Sequence, residues 1–175
     1  MDLQRQLEEK KSSILKKWLE FIIGSYPRES RRFLTKEKDR FSNPVGQVIA
    51  ERTEALYDGL ISGGDEQVIV PCLEDILRIR AVQDLKPSQA VGFVLQLKQV
   101  VRQVLQKGVD GAVPSAALRE FENRVDETAL LAFDVYTRHK QKIYNIRVDE
   151  VKRQVTRLLK RANLVYEIPE MGPDL

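Results

Sequence analysis

Residues 115–168 read SAALREFENRVDETALLAFDVYTRHKQKIYNIRVDEVKRQVTRLLKRANLVYEI, with neither proline nor glycine. Such a run permits a helix of up to about fifty residues, or two helices meeting at an unmarked bend. Two apolar registers share it. Val125, Ala129, Ala132, Tyr136, His139 and Ile143 form a stripe suited to packing on a globular core. Val148, Val151, Val155, Leu158, Ala162 and Val165 then recur at steps of 3, 4, 3, 4 and 3, the spacing of a coiled-coil seam. Both registers predict helix, and the second predicts a long C-terminal one.

Upstream of this run the same period recurs between turn signals. Ala90, Val94, Leu97, Val101 and Val104 line a helix that opens at Pro87-Ser88-Gln89 and closes near Lys107-Gly108, with 110–114 as a linker. Asn43-Pro44 sets a capping side chain before a proline whose missing N–H would be an orphan anyway, and the helix it opens runs from 44 to about 62. Ser62-Gly63-Gly64-Asp65 ends that helix, and Asp65 caps the next. That helix has the face Ile69, Cys72 or Leu73, Ile76 or Leu77 and then Arg80, with Pro71 tolerated only near the first turn. The first helix is predicted over 2–23, on Leu7, Ile14, Trp18 and Phe21 or Ile22, with Lys10 and Lys11 taking the missing apolar step. Residues 28–40 hold only Phe33 and Leu34 as apolar anchors and read as a short helix or surface loop.

The expected fold is therefore all-α, a globin-like or bundle-shaped helical domain over 1–140. An amphipathic helix with a possible coiled coil follows over 141–168, and then a tail over 169–175. Composition agrees. The 175 residues are 42% hydrophobic and include only 7 prolines and 9 glycines, too few turns for a sandwich or barrel. One cysteine and one histidine exclude zinc fingers and structural disulfides. Lysine interrupts even the apolar stretch from Val91 to Val101, so no membrane insertion is expected. The start at Met1-Asp2-Leu3 lacks the pattern of a signal peptide, which predicts a cytoplasmic protein with a reduced Cys72.

No catalytic constellation emerges. Glu8/Glu9, Glu74/Asp75 and Asp149/Glu150 are adjacent pairs, which diverge around a helix instead of converging on one atom. Cys72 has no base close in sequence and reads as a buried structural thiol. Gly63-Gly64 lacks the Lys-Ser/Thr of a phosphate loop. His139 lies on the inward register, which favours a hydrogen-bonded core histidine over a haem ligand or a phosphoacceptor balanced by Lys142. Trp18 and His139 are the candidate ligand-binding residues; no metal, catalytic group or cofactor is expected. The net charge of +3 identifies no partner, but residues 138–161 hold nine basic residues against two acids. With a single aromatic residue among them, Tyr144, and no series interleaved for base stacking, nucleic acid is not the expected partner.

Three stretches carry a family resemblance: the Trp18-containing first helix, Phe41-Ser42-Asn43-Pro44-Val45-Gly46, and Leu77-Arg78-Ile79-Arg80-Ala81-Val82-Gln83-Asp84-Leu85-Lys86-Pro87-Ser88-Gln89-Ala90. In this order they resemble the RsbRD N-terminal domain family, the sensory module of bacterial stressosome co-antagonists and of some sensor kinases, over about residues 5–140. The resemblance implies a signal-input domain, generally without haem, that works as a dimer and transmits through its C-terminal helix. With no output module in the sequence, the expectation is a non-enzymatic stand-alone sensor or adaptor, homodimeric through Val148, Val151, Val155 and Leu158, with a protein partner. The alternatives are a nucleic-acid-binding accessory protein using the basic helix, and a haem- or small-ligand-binding globin-like sensor.

Overall fold

The computed structural model describes residues 2–31, 43–83, 85–106 and 115–164. Among them every regular element is helical: α1 (Leu3–Glu9), α2 (Lys11–Gly24), α3 (Pro44–Ile61), α4 (Glu66–Val82), α5 (Pro87–Gln106) and α6 (Ser115–Arg161). The chain divides into two compact units, Met1–His139 and Lys140–Leu175. No helix among the described residues is long and apolar enough to cross a membrane.

The capping signals act as their chemistry requires. Asn43 Oδ1 accepts from the Gly46 N–H at 2.9 Å, and Pro44 takes the first helical position. A Cβ on Gly46 would meet the Asn43 side chain, which would have to shift to make room. Asp65 accepts from the Gln67 N–H at 2.9 Å and opens α4. Between α3 and α4 the chain reverses through Gly63 and Gly64, at φ +124° and +83°, a region closed to most L residues. The two helices then approach closely, since a Cβ on Gly59 would sit 3.2 Å from Val68 Cγ1.

Two expectations are corrected. The predicted helix over 2–23 is two segments that meet at Lys10, whose ψ of 3° leaves the helical well. The lysines that interrupt the apolar stripe mark that break, and Lys11 Nζ bridges Glu54 and Asp58 of α3 at 2.8 Å each. The hydrogen bonds that Lys11 donates to Asp58 and then Glu54 hold its pKa above the ordinary lysine value. Pro71 also lies in the second turn of α4, beyond the first-turn position the sequence required. It has no N–H to return to the Gln67 carbonyl, and the burial of Ile69, Cys72, Leu73, Ile76 and Leu77 around it holds the helix together.

The first unit's core takes residues from each of α1 to α6. Ile14, Trp18 and Ile22 of α2 are fully buried, with Leu56, Leu73, Leu97, Phe121, Val125 and Ala132. Residues Ser115–Arg161 form one continuous helix, α6. Within the first unit it is fixed by polar bonds as well as by its apolar stripe: Arg124 Nε donates to the Leu60 carbonyl at 3.2 Å, Arg102 grips Glu122 at 2.5 and 2.7 Å, and the Tyr136 hydroxyl donates to the Leu85 carbonyl at 2.6 Å. The short helix or surface loop expected over 28–40, the cap at Gly108, Val165 and the tail at 169–175 lie wholly or largely outside the described residues.

Candidate functional site

Arg80 stands in the last turn of α4 with no accessible surface. It joins three chain ends. Nε donates to the Ala90 carbonyl at 3.0 Å and Nη2 to the Gln89 carbonyl at 2.8 Å, both in the first turn of α5. Nη2 also donates to Ser25 Oγ at 2.9 Å, just past α2. Two rings flank the guanidinium, with its Cζ 5.0 Å from the Tyr26 centroid and 5.3 Å from that of Phe93. Burial lowers the Arg80 pKa from its ordinary value, with Tyr26 and then Tyr136 opposing. Burial likewise raises that of Tyr26, against the Arg80 charge. The Tyr26 hydroxyl lies beside the guanidinium, and the interaction between the two groups opposes both shifts. No carboxylate among the described residues pairs with Arg80.

The two candidate ligand-binding residues lie on different contacts. Trp18 joins α2 to α5: Nε1 donates to the Phe93 carbonyl at 2.7 Å, and its ring stacks on Phe93 with centroids 6.1 Å apart. His139 joins α6 to α4. Its Nε2 is 2.6 Å from Glu74 Oε2, whose other oxygen is 3.2 Å from Arg138 Nη1. The Trp18 indole N–H is thus spent on a backbone carbonyl, and His139 Nε2 sits at ion-pair distance from Glu74. Cys72 is buried, its Sγ 3.3 Å from the Val68 carbonyl, and burial raises its pKa. Asp75, beside Glu74, holds Arg52 at 2.7 Å and Arg78 at 3.2 Å, so this acidic pair serves surface ion pairs. Among the described residues no cluster of His, Cys, Asp and Glu is arranged to hold a metal.

In the second unit Val148, Val151, Val155 and Leu158 are 50, 58, 48 and 64% exposed. They form a stripe on a helix that offers no other apolar element of that unit to cover it among the described residues. Sequence reasoning found this stripe but missed the Arg80 junction. A signal was present: Arg80 follows Ile76 and Leu77 at helical spacing, which sets a cation in line with the buried face of α4.

The chain matches the family described as RsbT co-antagonist protein rsbRD N-terminal domain over residues 12–151. It belongs to that family. Comparison with curated proteins and with solved structures gave no match. As an RsbRD N-terminal domain, it falls among stressosome-related signal-input domains. The matched span takes in the whole Arg80 junction and the first two residues of the exposed stripe, Val148 and Val151.

Proposed function

We propose that this RsbRD N-terminal domain protein is a non-enzymatic signal-input or adaptor protein that acts on a protein partner through Val148, Val151, Val155 and Leu158. The observation that carries the reading is the exposure of all four at seam spacing, on the same helix whose upstream stripe is buried. A lone helix face of this kind gains stability only when another helix covers it. Input to the first unit is then read out as a change in how readily the face is engaged, because a ligand shifts an equilibrium only by binding one state better.

A second copy of the chain and a different protein are the two occupants of the seam. Charge separates them. With Val148 and Val155 at position a and Val151 and Leu158 at d, the flanking e and g positions hold Arg147, Lys152, Gln154, Leu159 and Arg161, while Asp149 and Glu150 face away at b and c. In a parallel homodimer Arg147 would stand opposite Lys152 of the second copy, a like-charge pair, whereas a helix with acidic flanks would pair with both. The flanks therefore favour an acidic amphipathic helix.

Replacing Val151 and Val155 together by glutamate tests this. The variant should keep the helicity and melting transition of the parent and lose binding of a designed helical peptide with leucine at a and d and glutamate at e and g. A parent that binds this peptide no better than its lysine-flanked counterpart would defeat the reading. Light scattering on parent and variant reports homodimerisation through the same face. A salt-dependent shift of duplex DNA, abolished by Arg147→Glu with Lys152→Glu, would replace it with the nucleic-acid alternative.

A further inference from the structure

We infer that the first unit binds a second copy of this chain through the outer face of α5 and the edge that α5 shares with α6, around Gly92, Leu95, Leu130 and Phe133. Among the described residues of that unit, the exposed large apolar side chains Phe21, Val45, Val68 and Val82 are spread over α2, α3 and the two ends of α4. Leu95, Leu130 and Phe133, which are 43, 71 and 51% exposed, instead gather on one edge. Two ion pairs set the register that gathers them, Lys98 with Asp126 and Arg102 with Glu122, each at 2.5 Å. They make α5 and α6 antiparallel, so that Leu95 stands level with Leu130 and Gly92 with Phe133.

The same face is almost free of charge. In a chain that is 31% charged, the 20 residues of α5 include only Lys98 and Arg102, and both are spent on α6. Toward solvent α5 presents Ser88, Gly92, Leu95, Gln96, Gln99 and Gln103. Apolar residues amid uncharged neighbours are the composition of an interface core, not of a solvated helix. Gly92 agrees with this. Glycine inside a helix is less stable than alanine, yet a Cβ at 92 would meet nothing within 4 Å and the backbone φ there is not positive. Nothing in its own chain calls for glycine at that place, whereas a second backbone approaching it would. The amides decide the occupant. Each glutamine carries both donor and acceptor, so a two-fold axis that turns the row onto a copy of itself lets every amide find a partner, while a charged surface would lose its water there and gain no counter-charge. A helix of this length, with the α6 edge beside it, offers about 600 Å² per copy, the lower end for a specific interface, so the dimer is reversible. The inference is independent of the C-terminal helix reading, and either can fail alone.

The test uses the whole chain carrying Val151→Glu and Val155→Glu, which takes the C-terminal stripe out of play. Sedimentation equilibrium should still show monomer and dimer in exchange, with a dissociation constant of about 1–100 μM. Adding Leu95→Glu and Leu130→Glu, at side chains that are already in water, should weaken the dimer at least about a hundredfold while helicity and the melting transition stay as they were at low concentration. Gly92→Arg, which meets nothing in its own chain at Cβ, should weaken it as well and serves if the double substitution does not fold. Val68→Glu, at a position as exposed as Leu95 but off this face, should leave the dimer unchanged. A monomer throughout that concentration range, a dimer indifferent to the substitutions at 92, 95 and 130, or equal weakening by Val68→Glu would overturn the assignment.

Discussion

Helix α6 carries two apolar stripes of similar strength in sequence, and they meet opposite fates. Phe121, Val125, Ala132 and Tyr136 are almost wholly buried, while Val148, Val151, Val155 and Leu158 are about half exposed or more. Hydrophobicity does not separate them; neighbours do. Beside the first stripe stand α3, α4 and α5, which lend the Leu60 carbonyl, Glu74 and Arg102 as polar anchors. An apolar pattern thus specifies a helix face, and the rest of the chain decides whether that face is core or interface.

Point substitutions along α6 should reproduce the contrast. Phe121→Ala, in the buried stripe, should cost about 3–5 kcal/mol in urea unfolding; a loss below about 1 kcal/mol would erase the distinction. Tyr136→Phe leaves the Leu85 carbonyl without its 2.6 Å donor and should cost about 1–2 kcal/mol by the same measurement. Glu74→Gln weakens the partly exposed link to Arg138 and His139 and should cost about 0–1 kcal/mol, less at high salt. Leu158→Ala should change the stability of the isolated chain by no more than about 0.5 kcal/mol, because that side chain is already in water. A larger loss that grows with protein concentration would mean that the stripe is covered by a second copy.

Much of the architecture was legible because its signals are local. Asn43-Pro44 and Asp65 announce helix starts through side-chain capping, Gly63-Gly64 announces a reversal through backbone freedom, and the run from 115 announces its helix by lacking breakers. The break at Lys10 was harder to see, since it depends on Lys11 reaching Glu54 and Asp58, more than forty residues away. The Arg80 junction was legible only as an oddity, a cation on an apolar stripe. What surrounds it comes from Ser25, Tyr26, Gln89, Ala90 and Phe93, residues that no periodicity groups together. Carbonyls taken from the opening turn of a helix carry no side-chain signature at all. Chain reversal brings them to Arg80, and the order of elements had to be known first.

The placement of Trp18 supplies a natural spectroscopic probe. It is the sole tryptophan, its indole rests on Phe93, and the opposite claim on that ring is the Arg80 guanidinium. Intrinsic emission near the red edge of protein absorption therefore comes from one buried place, beside the ring that the Arg80 guanidinium also faces. Any event that shifts the ring between them alters the colour or yield of that emission without a dye, a tag or a mutation.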